Sequence, residues 1–226
     1  MKKLFFFLLC SITIALNAQP FKVPDNIKEE VIFRDRFGSF YSIKDVVLSK
    51  YDKNGQFLYS YSDPMSGEIS SVDVNNPMKI MLFCKEQGII RFLDNRLAPL
   101  SENIDLYERQ YTTISLAAYS SDNNIWLYDQ ANHNLIAIDL YGKQIAKIHC
   151  NFPDFHPIQL IEVPNKMLMM QNPKTGIFLF DLWGTYIKTL SIFSSESIYM
   201  TNNEIYYKDS EHHWQCYDFL RLQECK

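Results

Sequence analysis

The chain has 226 residues, with 22 basic and 26 acidic side chains and a formal net charge of −4 at pH 7. The two signs are interspersed along the sequence, whereas proteins that bind nucleic acid usually cluster lysine and arginine on one face. Composition therefore argues against a nucleic-acid partner. An aromatic content of 15% with only 7 glycines is typical of a well-filled globular core and argues against a flexible linker protein.

Residues 1–18 have the pattern of a cleavable secretory signal. The start is basic, residues 4–16 are apolar, and Ala18 is the small residue before the expected cleavage site. Cleavage would take the basic count from 22 to 20 against 26 acids, a formal charge of about −6 for the single domain 19–226. Lipidation at Cys10 is an alternative, although bulky residues precede it. We expect a periplasmic protein with no transmembrane segment in the mature chain.

A unit of about forty residues recurs along the mature chain. In each unit a hydrophobic strand ends at an aspartate, a short turn follows, and another strand begins. The leading aspartate recurs at intervals of 42, 45, 42 and 37 residues: Asp52, Asp94, Asp139, Asp181 and Asp218. This period is the length of one propeller blade. We interpret the aspartates as caps that bind the backbone of their own turns, and not as an acidic ring for a ligand.

The repeat predicts the fold. Each unit contains four β-rich runs separated by turn signals. The units cover approximately residues 31–62, 69–103, 113–148, 158–190 and 198–225. A single small sheet cannot bury both of its faces, so the units must stack in a ring. We predict an all-β fold, a five-bladed β-propeller of four-stranded antiparallel blades that spans residues 19–226. The short fifth unit leaves closure of the ring open.

Four cysteines remain after the signal, and export to an oxidising compartment permits disulfides. In the fifth unit, the expected centre of the last hairpin places Cys216 and Cys225 opposite one another, which predicts a bridge between them. Cys84 and Cys150 occupy different places in their units. We expect both to be small buried hydrophobic residues.

The search for catalytic and metal-binding motifs is negative. The sequence has no nucleophile elbow, zinc-binding histidine pair or phosphate loop, so we predict no catalytic residue, metal ligand or cofactor. His212 and His213 are adjacent and would point to opposite faces of a strand, which favours an exposed loop. One connection carries three ligand types without regular spacing, and we do not predict a metal there: His149, Cys150, Asp154 and His156.

Two pairs of large aromatic residues have different predicted positions. Trp126 and Tyr128 stand two apart on one strand and therefore share a face, as packing between blades requires. Tyr141 and Trp183 both occupy the third position of the aspartate turn and should project from one rim of the ring. Large aromatics at neighbouring turn tips are candidates for contact with a protein partner, with packing over the local hairpin as the alternative.

The strands that end at Asp129 and Asp139, with the following Gly142-Lys143, resemble the blade pattern of exported propellers of the NHL and TolB-like groups. This resemblance covers nearly the whole mature chain and implies a fold more than a role. The signal ending in Ala18-Gln19 and the small size are similar to those of the periplasmic plug subunits of the type IX secretion translocon. That resemblance implies a non-enzymatic protein that occludes a secretion pore through an outer-membrane partner. It implies no individual contact residues.

A carbohydrate-binding protein or lyase-like enzyme that uses the central funnel is the alternative function. Such a protein needs acids, bases or a metal that converge on the channel. Polar residues at the start of each innermost strand would favour it. The sequence instead places isoleucines near these positions, which predicts a plain core: Ile69, Ile114, Ile158 and Ile198.

Overall fold

The computed structural model describes residues 20–28, 31–201 and 203–225. The predicted signal at 1–18, including Cys10, lies outside the described residues. The described residues form twenty β-strands and one 3-10 turn at Pro64–Ser66. None of their helical segments is long and apolar enough to cross a membrane.

The strands form five separate sheets, each with four antiparallel strands in sequential order. This arrangement confirms the five-bladed β-propeller predicted from the repeat. The strands of blades 1 to 3 are β1 (Val31–Arg34), β2 (Phe40–Lys44), β3 (Val47–Tyr51), β4 (Phe57–Ser62), β5 (Ser71–Asp73), β6 (Ile80–Cys84), β7 (Ile89–Leu93), β8 (Ile104–Asp105), β9 (Ile114–Tyr119), β10 (Ile125–Asp129), β11 (Asn134–Ile138) and β12 (Gln144–His149). The strands of blades 4 and 5 are β13 (Gln159–Val163), β14 (Met167–Asn172), β15 (Gly176–Phe180), β16 (Tyr186–Leu190), β17 (Tyr199–Thr201), β18 (Glu204–Lys208), β19 (Trp214–Asp218) and β20 (Gln223–Glu224).

Burial changes from the middle of each blade to its outer edge. Every residue of β6, β10, β11 and β15 is buried, because neighbouring blades cover both faces of these strands. The outer strands β4 and β12 are mostly exposed. The middle strands therefore read as continuous apolar runs, while the outer strands carry the surface on which the protein can meet other molecules.

The hydrophobic core is divided among the spaces between blades. One cluster joins blades 1 and 2, a second joins blades 2 and 3, a third joins blades 3 and 4, and a fourth joins blades 4 and 5. Trp126 and Tyr128 are 3% and 0% exposed and pack in the third cluster with Leu168 and Phe178 of blade 4. The prediction that these two aromatics pack between blades is confirmed.

Residues 20–28, which we call the N-terminal segment, contribute to closing the ring between blades 5 and 1. The Phe21 ring lies 5.8 Å from Phe40 of blade 1 and 5.7 Å from Tyr199 of blade 5, centroid to centroid. Ile27 is buried beside Phe40 in a small cluster with Val23. The junction therefore depends on a segment that belongs to neither sheet.

The structure joins Cys216 and Cys225 in a disulfide, with a Cα–Cα distance of 5.3 Å. The bridge fastens the two-residue strand β20 to β19. Cys84 and Cys150 are free and buried, and burial raises the pKa of each thiol to about 11. Both are therefore protonated and unreactive at neutral pH, as expected of small core residues.

Candidate interaction surface

The repeated aspartates cap their own turns, as predicted from the sequence. Asp139 Oδ1 accepts hydrogen bonds from the backbone amides of Tyr141 and Lys143, both at 2.9 Å. Three other turns have the same pair of bonds at 2.8 to 2.9 Å: those of Asp52, Asp94 and Asp181. Asp218 instead accepts from the amides two and three residues on, both at 3.0 Å. These carboxylates hold the turns, and this supports their structural interpretation.

Tyr141 and Trp183 stand at the tips of equivalent turns on the adjacent blades 3 and 4. Their side chains are 84% and 79% exposed, whereas their backbone amides are bound by the aspartate that begins each turn. Large aromatic rings with this exposure gain little from the fold itself, and they are common anchors in protein interfaces. We call this pair the aromatic rim.

The turns that carry the aromatic rim are fixed against the preceding blades. Arg109 of blade 2 donates from Nε to the carbonyl of Tyr141 at 2.8 Å. The next residue is a glycine in both turns, with φ of +80° at Gly142 and +84° at Gly184. A Cβ on Gly184 would lie 2.7 Å from Ile148 Cδ1 of blade 3. Close approach by the neighbouring blade therefore orders the backbone beneath the exposed rings.

A second set of exposed apolar residues follows the turns at a fixed spacing, four residues after the third turn position. The side chains are 40%, 49%, 54% and 52% exposed, in the order Leu58, Leu100, Ile145 and Ile187. We call this set the outer-edge belt. The corresponding residue of blade 5 is Glu224. Sequence reasoning missed the belt, although its spacing from the repeated aspartates was available as a signal.

The aromatic rim and the outer-edge belt coincide only on blades 3 and 4. Blades 1 and 2 have Asn54 and Arg96 at the position of the rim aromatics. On blade 4, Tyr186 adds a ring that is 43% exposed between Trp183 and Ile187. Other exposed apolar side chains, such as Phe57 of blade 1 and Leu220 of blade 5, lie elsewhere on the surface, but an exposed aromatic turn tip stands above an exposed belt residue only on blades 3 and 4.

The starts of the innermost strands only partly follow the sequence prediction. Ile69, Ile114 and Ile198 are buried, at 9%, 6% and 2% exposure. Ile158 is 42% exposed, so the prediction of a core position is wrong there. The reason is that Ile158 precedes the first residue of β13, although its amide still donates to the Gln171 carbonyl at 2.8 Å.

Two carboxylates, Asp73 and Glu162, lie at the C-terminal ends of the inner strands of blades 2 and 4. Glu162 is 2% exposed, and its Oε1 accepts from the Ser121 amide at 2.7 Å and from Ser121 Oγ at 2.6 Å. Asp73 Oδ2 accepts from the Tyr119 amide at 3.1 Å. Burial raises the pKa of Asp73 to about 6, and the negative charge of Glu162 adds to the effect. Sequence reasoning did not single out either residue.

Within the described part of the chain, the histidines and cysteines do not form a set of metal ligands. The close group of three residues of metal-ligating type found there is Glu204 with Cys216 and Cys225, but the disulfide uses both sulfurs. His212 and His213 are exposed, as expected, and His212 Nδ1 lies 2.9 Å from Glu196 Oε1. In the earlier connection Cys150 is buried and the other candidates are exposed: His149, Asp154 and His156.

No protein-family model matches the chain, and no curated protein is significantly similar to it in sequence. Solved structures match in fold. The WD40 domain of Neurospora crassa Pan2 is 9% identical, with a TM-score of 0.59, over 87% of this chain and 64% of that chain. This chain thus spans less than two thirds of the Pan2 domain structure.

Two further structures match to a similar extent. A Bacteroides caccae protein of unknown function is 10% identical, with a TM-score of 0.59, over 83% of this chain and 76% of that chain. A streptogramin B lyase is 12% identical, with a TM-score of 0.55, over 88% and 70% of the two chains. The chain has a β-propeller fold. At these identities the likeness extends to the fold alone, because propellers support unrelated functions.

Proposed function

We propose that this protein is an exported, non-enzymatic interaction module that binds a protein partner through blades 3 and 4. The observation that carries the proposal is the coincidence of the aromatic rim with the outer-edge belt on those blades. Tyr141 and Trp183 supply large rings with few rotatable bonds, and Ile145 and Ile187 supply aliphatic area beside them. The rigid turns beneath them reduce the entropy lost on binding.

The partner that we propose is a large outer-membrane secretion translocon, which the protein would occlude from the periplasmic side. The resemblance of the signal and the small size to type IX plug subunits supports this choice. A compact propeller suits such a role, since it presents a rigid surface and needs no bond made or broken.

A funnel ligand has weaker support. A cavity of about 10 Å³ lies between blades 1 and 2, near Tyr61 and Arg91, and another of about 140 Å³ lies at the last hairpin of blade 5, beside Asp218 and Arg221. Neither reaches the roughly 300 to 1,000 Å³ typical of small-molecule sites. We therefore place a glycan or small substrate second.

The test is affinity purification of the tagged protein from solubilised envelopes of its native host, followed by mass spectrometry. We expect the wild type to recover a large outer-membrane protein in stoichiometric amount. A Tyr141→Ala, Trp183→Ala double variant should recover at least ten-fold less of that partner. Phe37→Ala is the matched control. Phe37 occupies the third position of an aspartate turn of the same type, which Asp35 begins between β1 and β2 of blade 1, and it is 66% exposed.

The result separates the two parts of the proposal. Recovery of a different protein partner that depends on the aromatic rim would retain the interaction module and reject the translocon. Recovery of the protein alone at native expression would reject both and direct attention to glycan arrays.

A further inference from the structure

Glu162 has an unpaired carboxylate oxygen in the interior of the protein. Its Oε1 is satisfied by Ser121, but Oε2 is buried without a hydrogen-bond partner among the residues that the structure describes. Buried polar atoms are nearly always paired, so an unpaired carboxylate oxygen indicates a bound ion, a water or a proton that completes it. This is the strongest unexplained feature of the described chain.

A second carboxylate shares this environment. Asp73 ends β5 of blade 2 and accepts from the amides of Asn75 at 2.9 Å and Tyr119 at 3.1 Å. Asn75 Nδ2 donates to the carbonyl of Glu162 at 3.3 Å, so blades 2 and 4 meet although they are not neighbours in the ring. This contact places the pair at the central axis, where the inner strands converge.

The described residues supply no cation to either carboxylate. Lys79 is the nearest lysine to Asp73 in the sequence, and its Nζ sits over the rings of Phe92 and Tyr119, 4.7 and 5.0 Å from the centroids. Neither Asp73 nor Glu162 takes part in an ion pair within the described residues. A buried carboxylate beside a partly buried one, without a counter-charge, is costly, since the interior solvates charge poorly.

We propose that Asp73 and Glu162 bind one divalent cation, best fitted by Ca²⁺, at the axial end of the inner strands of blades 2 and 4. One such ion neutralises both carboxylates and occupies the free lone pairs of Glu162 Oε2. The atoms that could coordinate the ion are oxygens, those of the two carboxylates and the hydroxyl of Ser121, and oxygen ligands suit a hard cation. Calcium accepts irregular coordination in a buried site, whereas magnesium demands octahedral geometry and gives up its water reluctantly.

The consequence is a structural role for the ion. A cation held between Asp73 and Glu162 would tie blade 2 to blade 4 across the axis, while the bonds to Ser121 and Tyr119 include blade 3. It would stabilise the ring independently of the aromatic rim, so failure here leaves the proposed function untouched.

The test uses the mature protein after treatment with a chelator, at pH 7.5, with thermal unfolding and calorimetric titration of CaCl₂. We expect one calcium per chain. At a free calcium concentration 100 times the dissociation constant, the ratio of folded to unfolded protein should rise about 100-fold. Glu162→Gln and Asp73→Asn should each abolish this response. Glu162→Gln keeps the side-chain shape and an acceptor for Ser121, and it should fold at least as well as the chelated wild type.

Glu211→Gln is the matched control, since Glu211 is an exposed acid on the β18–β19 turn and should leave the calcium response unchanged. An absent calcium response in the wild type would overturn the proposal. A response that persists in both Glu162→Gln and Asp73→Asn would overturn it as well, because the ion would then bind elsewhere. Stabilisation by acid alone, without any effect of calcium, would show that the pair holds a proton.

Discussion

Gly184, the fourth residue of its aspartate turn, combines a left-handed backbone with a close neighbour. It has φ of +84°, and an added Cβ would meet Ile148 Cδ1 at 2.7 Å. Gly38, the fourth residue of the Asp35 turn between β1 and β2, has φ of +90°, but the nearest atom to its Cβ would be the flexible end of Arg34 at 3.4 Å. The two glycines separate the cost of the backbone conformation from the cost of the contact.

We expect Gly38→Ala to lower the free energy of unfolding by about 1–2 kcal/mol, the cost of a left-handed residue with a Cβ. Gly184→Ala should cost at least about 1 kcal/mol more, because the methyl group overpacks the boundary between blades 3 and 4. Urea unfolding of both variants measures the difference. Equal losses would show that Ile148 moves aside freely and that the turn beneath Trp183 is not fixed by blade 3.

Asp73 should give the chelated protein an unusual pH dependence. Its pKa is about 6 in the folded protein, above the ordinary value of 3.8, because burial and the Glu162 charge disfavour ionisation. The folded state therefore binds this proton more tightly than the unfolded state does. The contribution of Asp73 to stability is present below pH 4 and is lost as pH rises through 6.

Comparison of wild type with Asp73→Asn isolates this contribution. In urea unfolding at several pH values between 4 and 7, with chelator present, the stability of the wild type relative to the variant should fall as pH rises and then level off above about 6. A relative stability that rises over this window would contradict the assignment. The contributions of carboxylates remote from Asp73 are the same in both proteins and cancel from the difference.

The sequence could reveal the capping aspartates but not the acid pair. A cap acts within five residues, so its pattern is local and repeats with each blade. Asp73 and Glu162 lie on different blades and meet only when the ring forms. Asp73 also ends a strand, as the capping aspartates do, and nothing local distinguishes a carboxylate that faces the axis from one that holds a turn.

At the scale of elements, the last hairpin depends on the disulfide more than on its hydrogen bonds. Strand β20 has two residues and pairs with β19 through Tyr217↔Glu224 and Asp218↔Gln223, and one more backbone bond follows it, from the Cys225 amide to the Cys216 carbonyl at 2.9 Å. Both residues of β20 are exposed, so burial adds little to hold it. A bridge between residues 9 apart in sequence should contribute about 2–3 kcal/mol by restricting the unfolded chain.

The Cys216→Ser, Cys225→Ser double variant should lose about this amount and exchange the amides of β19 and β20 faster. Reduction of the wild type with dithiothreitol should have the same effect, because Cys84 and Cys150 are already free thiols. The control is reduction of the double variant, which should change nothing further. Unchanged exchange in the variant would show that the bridge contributes nothing to the order of the hairpin.

Strand pattern and turn signals were enough to predict four strands in each blade, because local preference and burial agree there. Blade 2 departs most from this pattern, because β8 is reduced to Ile104–Asp105 and a long irregular segment separates it from Leu93. The outer-edge belt was missed for a different reason. A single exposed Leu or Ile is ordinary in any surface strand, and only the fold shows that four of them occupy one repeated position.

At the scale of the whole molecule, closure of the ring depends on residues with no strand pattern. The N-terminal segment packs Phe21 between Phe40 and Tyr199, and Asn26 Nδ2 donates to the carbonyl of Gly55 at 2.5 Å. Propellers must join their first and last blades because both present an apolar face. A short segment filled with side chains performs this role here, which composition and periodicity could not reveal.

Phe21→Ala should therefore weaken the junction of blades 5 and 1 before the rest of the ring. We expect a loss of about 1–3 kcal/mol in the free energy of unfolding, as for removal of a partly buried aromatic ring. Hydrogen exchange should accelerate first in β1, β2, β17 and β18, and least in blade 3, which is packed on both sides. Phe37→Ala removes an exposed ring from the same blade and should change stability by less than about 0.5 kcal/mol. Uniform acceleration in all five blades would mean that the ring opens as one cooperative unit and that Phe21 has no special place in its closure.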